Sequence, residues 1–220
     1  METNYNTAML SPAAVKARIT GTFPDAGLPR GVVITGMRPE EAPGLTIRFT
    51  IANTAIGEIM LASTAKGICY AGFTDNNPDI ALADLRRRFP KAVLQQGAGE
   101  WQQEAWEWFN HPGKTGLPLH LHVKGTAFQQ AIWKKLLTVP AGTLTTYAQL
   151  GGGARMARAA GTAVGNNPVA FLIPCHRAVR SNGQFEGYFW GPARKKELLA
   201  LEARPNIKNN GHGNTTGARL

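Results

Sequence analysis

The chain has 220 residues, 43% of them hydrophobic, and 24 Lys and Arg against 14 Asp and Glu give a formal net charge of +10. This length suits one large domain or two small ones with an ordinary core. No apolar run approaches the roughly 18 residues of a membrane span, and Met1–Met9 lacks the apolar stretch of a secretory signal. Two cysteines exclude a disulfide framework and a Cys-rich zinc site. A thiol that must stay reduced predicts a cytoplasmic location.

The positive charge is concentrated in the second half of the chain. Between His120 and Arg204 there are eleven Lys or Arg residues and three Glu residues. Such a field attracts polyanions and predicts a nucleic-acid partner, with a merely soluble basic surface as the alternative. A membrane-surface partner is disfavoured because no long basic amphipathic helix with a Trp- and Leu-rich face is present.

The first half of the chain predicts a strand-rich unit after an irregular beginning. Residues 1–44 show no sustained period and are predicted to be a linker-like extension. From residue 45 the pattern alternates over Thr46–Ile51, and Glu58–Ala62 and Gly67–Phe73 follow at close spacing. Three short strands so spaced predict an antiparallel meander.

Helical spacing and one further strand follow the meander. Asn77–Phe89 begins with a capping Asn and is stopped by Pro90, and the tryptophans of 101–109 have the helical spacing of core residues. The strand pattern then returns at 117–122 and puts His120 and His122 on one strand face. Since no third metal ligand is nearby, that face is predicted to be solvated.

Two short helices joined by a glycine turn come next. Thr126–Gln129 has the form of a capping box at the start of a longer helix. Thr146–Leu150 and Arg155–Val164 then flank Gly151-Gly152-Gly153. On a basic background this arrangement predicts a helix-turn-helix. The small residues of the second helix suit close approach to a nucleic-acid groove and tight helix packing equally well.

The run Ile173-Pro174-Cys175-His176-Arg177 contains the candidate nucleophile. A thiol reacts as thiolate, which neighbouring His and Arg favour. Pro174 has a restricted backbone and pushes Ile173 toward an extended conformation. Cys175 is therefore predicted to emerge from a buried strand at a rigid point. The alternative is a buried and inert cysteine.

Four sequence blocks together resemble one known family, the O6-alkylguanine-DNA alkyltransferases (methylated-DNA–protein-cysteine methyltransferases), over roughly residues 45–204. Residues 1–44 are similar to the linker before this domain in adaptive-response (Ada-type) proteins. The blocks, in chain order, are Gly125–Gln129, Asn167–Val169, Ile173–Arg177 and Gly187–Gly191.

The resemblance implies an α/β (α+β) fold in two parts. A small antiparallel-sheet, RNase H-like domain is expected at 45–118. A winged-helix-like helix-turn-helix domain that carries the alkyl acceptor is expected at 119–204, and a disordered tail at 205–220. The family likeness implies a monomer that needs neither cofactor nor metal.

The implied reaction is repair of double-stranded DNA by stoichiometric transfer of an alkyl group from O6-alkylguanine, and in some cases O4-methylthymine, to Cys175. His176 would act as a base through a water, and Glu202 would orient its imidazole. Asn167 would hydrogen-bond the backbone near the site.

The resemblance also implies how the lesion reaches the cysteine. Arg158 would fill the space left by the flipped base, and Tyr147 would rotate its phosphate. The carbonyl of Ala178 would face the guanine amino group, and Tyr188 would close the pocket. The remaining implied DNA contacts are Ala157, Gly161, Arg155 and Ser181.

Two other functions stay open on the sequence. The segment from Tyr147 to Arg158 is about three residues shorter than the family pattern, which predicts a short first helix and allows a non-catalytic protein that only binds the lesion. A thiol hydrolase using Cys175 and His176 is disfavoured, because papain-like enzymes place these residue types far apart in sequence.

Overall fold

The structure is a computed structural model that describes residues 11–20, 31–41, 44–111, 118–185 and 187–203. The helices are α1 (Pro12–Ala17), α2 (Pro78–Arg88), α3 (Glu100–Asn110), α4 (Ala127–Leu137), α5 (Tyr147–Gly151), α6 (Ala157–Gly165) and α7 (Pro192–Glu202). The strands are β1 (Val32–Gly36), β2 (Thr46–Thr54), β3 (Gly57–Thr64), β4 (Gly67–Phe73), β5 (Val93–Gln96), β6 (Leu119–Val123), β7 (Thr145–Thr146) and β8 (Ala178–Val179).

Six strands form one mixed sheet in the order β1-β6-β4-β3-β2-β5. The predicted antiparallel meander is present as β2, β3 and β4. The sheet also contains parallel pairs beyond the predicted antiparallel strands, because β1 with β6, β6 with β4, and β5 with β2 pair in parallel. Parallel neighbours need crossover connections, and α2 and α3 lie in the connections that lead to β5 and β6. The mixed α/β class is confirmed.

The N-terminal extension is not simply a linker. Val32–Gly36 pairs in register with Leu119–Val123, so β1 is an edge strand of the sheet. Strand β6, which begins just after the predicted boundary at residue 118, belongs to this sheet. β1 was missed because Val32, Val33 and Ile34 are all apolar, so the sequence shows no alternation although burial alternates along the strand. The predicted disordered tail, 205–220, lies outside the described residues.

A second part of the extension packs against the other half of the molecule. Ser11 caps α1, and Val15 is fully buried among Leu144, Val179 and other apolar side chains. Ile19 forms a parallel bridge with Leu144 just before β7. This helix of six residues is too short to show a period in the sequence.

His122 corrects the prediction of a solvated strand face. Its side chain is 1% exposed, with Nδ1 at 2.8 Å from the hydroxyl of Thr64 and Nε2 at 3.1 Å from Glu41. His120 is half-buried, with its ring centroid 5.0 Å from that of Trp101. The face is covered because the 3-10 turn Pro39–Glu41 and the β3 end supply polar partners that are distant in sequence.

The main apolar core joins the two halves of the chain. It contains Phe73 from the sheet, Leu136 from α4 and Cys175 itself. Trp133 of α4 is buried and donates its indole N–H to the carbonyl of Ala163 at 2.9 Å, which ties α4 to α6. The cysteine therefore lies at the edge of a packed core.

Candidate active site

Cys175 begins a 3-10 turn, Cys175–Arg177, and does not follow a strand. The segment before it is a compact turn in which Val169 bridges to Ala71 and Ala170 to Ile173. The predicted buried strand is therefore wrong. The apolar run is buried, but Pro174 has no N–H to donate to a ladder, and Phe171 has a φ of +66° that no strand residue adopts.

Asn167 supports this turn from inside. Its side-chain N–H groups donate to the carbonyls of Ile173 at 2.8 Å and Val169 at 3.2 Å. Its oxygen accepts from the N–H of Val169 at 3.0 Å. These buried bonds supplement the single bridge between Val169 and Ala71, and they fix the backbone that leads to Cys175.

Replacing Asn167 by alanine is expected to lower the free energy of unfolding by about 3 kcal/mol, because buried backbone groups lose their partners. Urea unfolding measures this change. Asn166→Ala is the matched control: Asn166 is exposed, its side chain donates to the carbonyl of Thr162 and to no other group in the described ranges, and the expected loss is below about 1 kcal/mol. Equal losses in the two variants would contradict this role of Asn167.

His176 and Glu202 form a buried pair. The imidazole is fully buried, and its Nε2 lies 2.9 Å from Oε1 of Glu202 in the last turn of α7. Arg177 donates to both oxygens of the same carboxylate, at 3.0 Å and 2.7 Å. The Glu202 carboxylate thus has two partners from the turn that carries Cys175.

The charges of this cluster determine the tautomer of His176. Burial alone would raise the pKa of Glu202, but the hydrogen bonds and charges of His176 and Arg177 outweigh it and lower that pKa to about 2. An ionised carboxylate only accepts, so Nε2 carries the proton and Nδ1 is the free base. Burial also lowers the pKa of His176, against the opposing effect of Glu202. Nδ1 has no hydrogen-bond partner within the described ranges.

Cys175 faces a narrow cavity of about 30 Å³. Its side chain is 6% exposed, and Sγ lies 3.7 Å from the hydroxyl of Tyr188. Burial raises the pKa of Tyr188 well above its usual value, so the phenol stays protonated. Tyr147 and Asn167 also line the cavity. A protonated phenol can donate to a sulfur or oxygen atom placed there.

Lys195 is a candidate functional residue that the sequence prediction missed. It lines the same cavity, is 1% exposed, and its Nζ donates to the carbonyl of Ala178 at 2.6 Å. It also lies 5.8 Å from the ring centroid of Tyr188. A run of basic residues usually indicates a solvated face. The available signal was spacing, because Lys195 precedes the buried Leu198 and Leu199 by three and four residues.

A wider recess of about 390 Å³ adjoins the cavity and shares Tyr147, Gly161 and Gly187 with it. Arg155 lies outside this recess, in an exposed 3-10 turn before α6. Ala178 is buried, with its carbonyl bonded to Lys195. The recess thus brings together five residues of the predicted site and the unpredicted Arg180. The six are Tyr147, Ala157, Arg158, Gly161, Ser181 and Arg180.

The two roles open for the small residues of α6 are divided between its faces. Ala160 and Ala163 are buried on the side of α4. Ala157 and Gly161 line the recess on the other side, beside the exposed Arg158. Both interpretations of the small residues are therefore correct, because some of them pack against α4 and others leave the backbone of α6 open at the recess.

The first helix of the pair is short, as predicted. α5 has five residues, begins with a capping box of Thr146 and Gln149, and ends at Gly152 with a φ of +81°. Gly153 follows with a φ of +148°. Two left-handed glycines in succession end the helix and turn the chain into the 3-10 turn before α6.

Comparisons with known proteins identify this arrangement. A family model described as 6-O-methylguanine DNA methyltransferase, DNA binding domain, matches residues 127–204. A methylated-DNA–protein-cysteine methyltransferase of Methanosarcina barkeri is 35% identical over 159 residues, which is 70% of this chain and 96% of that protein. The chain belongs to the methylated-DNA–protein-cysteine methyltransferase family. The predicted resemblance is confirmed.

Other members of the methylated-DNA–protein-cysteine methyltransferase family agree with this. The Escherichia coli bifunctional transcriptional activator and DNA repair enzyme Ada is 35% identical over 164 residues, but the chain spans only 46% of its length. The structure of Mycobacterium tuberculosis O6-methylguanine methyltransferase aligns with a TM-score of 0.56 at 29% identity, over 73% of this chain and 96% of that one. A structure of Mycobacterium tuberculosis OGT in complex with DNA gives 0.52 at 28% identity, over 70% and 92%.

Among the described residues, no helix is both long and apolar enough to cross a bilayer. No group of three or more His, Cys, Asp or Glu side chains in those ranges is arranged to hold a metal ion.

Proposed function

We propose that this protein repairs DNA by moving an alkyl group from O6 of guanine to the sulfur of Cys175. The observation that carries this proposal is that the cavity at Cys175 adjoins the wider recess and shares lining residues with it. The narrow cavity holds Cys175, and the recess beside it exposes Arg158 and Arg180. A reactive thiol at the bottom of a cationic recess suits a substrate that is both anionic and alkylated.

The proposed transfer is an in-line displacement at the alkyl carbon. The sulfur of Cys175 forms a bond to that carbon as the bond to O6 breaks, and the electron pair of the broken bond returns to guanine. Nδ1 of His176 takes the thiol proton through a water, and guanine regains a proton as it leaves. The products are guanine and S-alkylcysteine. Because a thioether is not released again, one protein repairs one lesion.

The proposed supporting roles follow from the contacts. Glu202 keeps the proton of His176 on Nε2, and Asn167 fixes the turn that carries Cys175. The thiol of Cys175 donates to the hydroxyl of Tyr188, and that phenol can in turn donate to the thiolate once the proton has left. The carbonyl of Ala178 is held by the ammonium group of Lys195, which lines the same cavity.

DNA is proposed to approach the recess-facing side of α6. The lesion base must leave the stack, at a cost of a few kcal/mol. Arg158 takes its place in the duplex, and Tyr147 contacts the turned phosphate. Arg155 and Ser181 contact the backbone, and Ala157 and Gly161 admit it closely. Readout in the minor groove is nearly independent of sequence, which suits a search for lesions. We propose a monomer that acts in the cytoplasm.

The deciding experiment uses the full chain and a duplex with one O6-methylguanine. Intact-mass spectrometry is expected to show the gain of one methyl group on the protein, and peptide mapping is expected to place it on Cys175. A matched duplex with unmodified guanine gives no gain. Since phosphate contacts release counterions, the apparent rate at subsaturating DNA is expected to fall as salt rises.

Two results would favour a different function, the first in this experiment and the second in an assay with ester and peptide substrates. Tight binding of the lesion duplex without any mass gain would indicate a lesion-binding protein. Turnover of an ester or peptide substrate that depends on Cys175, without methyl gain from DNA, would indicate a thiol hydrolase.

A further inference from the structure

The loop that closes the cavity is bounded by two hinge-like glycines. Gly187 and Gly191 have φ values of +88° and +85°, a conformation that side chains rarely allow. Between them, Tyr188 faces Cys175 and Trp190 packs edge-on against Phe73 of the sheet at 6.0 Å. We refer to residues 187–191 as the aromatic loop.

The cavity under the aromatic loop is too small for a purine. Its volume is about 30 Å³, and a single water needs about 10–15 Å³ by this kind of measure. A base that is to reach Cys175 therefore requires the aromatic loop to open and then to close again over it. Whatever holds the closed position controls the transfer step.

Phe189, at the tip of the aromatic loop, contacts an arginine from the other half of the molecule. The Phe189 side chain is 52% exposed, and the guanidinium of Arg88 lies 5.8 Å from its ring centroid. Arg88 ends α2, so this contact joins the first half of the chain to the loop that covers the site.

Arg88 is itself firmly held. Its side chain is 12% exposed, and its Nε donates to the buried carboxylate of Asp84 at 2.8 Å. Its Nη1 donates to the carbonyl of Asn166 at 2.9 Å, just after α6 and just before Asn167. One guanidinium thus contacts α2, the end of α6 and the aromatic loop.

We propose that Arg88 is a positioning residue that holds the aromatic loop closed over Cys175. This inference rests on the proposed alkyl transfer and adds a role for the first half of the chain. A cation over an exposed ring is a modest interaction. The contact between Arg88 and Phe189 can therefore break when a base enters the cavity and form again afterwards. In this proposal the contact of Trp190 with Phe73 stays in place when the aromatic loop opens, and the contact of Phe189 with Arg88 breaks.

The test compares Arg88→Met with Arg87→Met. Both substitutions remove one ion pair to Asp84, but the Arg87 side chain is 63% exposed and its described bonds go to Asp84 alone. At saturating O6-methylguanine duplex, Arg88→Met is expected to lower the single-turnover rate about tenfold. The Kd for the duplex is expected to change less than twofold, and Arg87→Met is expected to leave both unchanged.

Phe189→Ala identifies the route of the effect. If Arg88 acts through the ring, Phe189→Ala slows transfer similarly, and the double variant is no slower than either single one. Thermal unfolding of each variant separates this from a general loss of stability, which would lower the rate and the folded fraction together.

The outcomes separate this inference from the proposed function. No methyl transfer by the wild type would remove the proposed function itself. An active wild type with equal rates in Arg88→Met and Arg87→Met, or effects of Arg88→Met and Phe189→Ala that multiply, would overturn the role of Arg88.

Discussion

Replacing Cys175 by alanine is expected to abolish methyl transfer from an O6-methylguanine duplex. The sulfur is the atom that forms the new bond, and no neighbouring side chain of the described cavity has another sulfur. The side chain is small and lies at the edge of the core, so the free energy of unfolding is expected to change by only about 1 kcal/mol. Intact-mass spectrometry and circular dichroism measure the two effects.

Cys69 provides the matched control, because it is the other cysteine of the chain. It is fully buried in β4, and burial raises the pKa of its thiol far above the usual range. Cys69→Ala is therefore expected to accept one methyl group as the wild type does. Equal mass gain in Cys175→Ala, or a well-folded Cys69→Ala without any gain, would contradict the assignment of the acceptor.

Replacing Glu202 by glutamine is expected to lower the transfer rate about 100-fold, the scale at which general bases contribute. Glutamine keeps the shape of the side chain but loses the charge. Its amide can also donate to Nε2, which moves the proton to Nδ1 and removes the base. Single-turnover kinetics at saturating duplex measure this loss. Glu197→Gln is the control and is expected to retain the rate, because Glu197 is a partly exposed residue of the same helix that pairs with Arg194.

The pH dependence of the transfer rate shows whether Glu202 acts by holding the tautomer of His176 or only by changing its pKa. The pKa of His176 is lowered mainly by burial, so the imidazole is already neutral at neutral pH. Removal of the negative charge of Glu202 lowers that pKa further. Raising the pH is therefore not expected to rescue Glu202→Gln, and a rescue at pH 8 would contradict the role of Glu202 in holding the tautomer.

Stability provides a second readout of the same pair. The pKa of Glu202 falls from 4.5 to about 2 on folding. A carboxyl group whose pKa is lower in the folded protein stabilises the fold at pH values above its unfolded pKa. This stabilisation is lost as the pH falls through the folded pKa. Urea midpoints of the wild type are expected to decline from pH 4.5 downward more steeply than those of Glu202→Gln.

Much of the candidate site was predictable because its residues stand in short local runs. Cys175, His176 and Arg177 are adjacent, and the turn that carries them follows Asn167 by a few residues. The capping box at Thr126 was also a local signal, and the helix it predicts is present.

The remaining features depend on contacts between distant segments. The sequence of edge strand β1 starts with three apolar residues and shows no alternation, and its place in the sheet is set by pairing with β6. His122 is buried by Glu41 and Thr64, which are far from it in sequence. Lys195 has the composition of a surface run but faces the cavity, because α7 turns it toward Ala178.

The sequence alone determined the family, the α/β class and the thiol with its histidine, because these depend on residue types at fixed short spacing. Only the tertiary structure decided which segments enclose that thiol. The apolar run before Cys175 is a turn whose backbone is held by the side chain of Asn167. Arg88 contacts Phe189 of the aromatic loop, although the two residues are 101 positions apart in the sequence. Such contacts leave no local pattern, since packing and buried hydrogen bonds select among conformations that the local sequence permits.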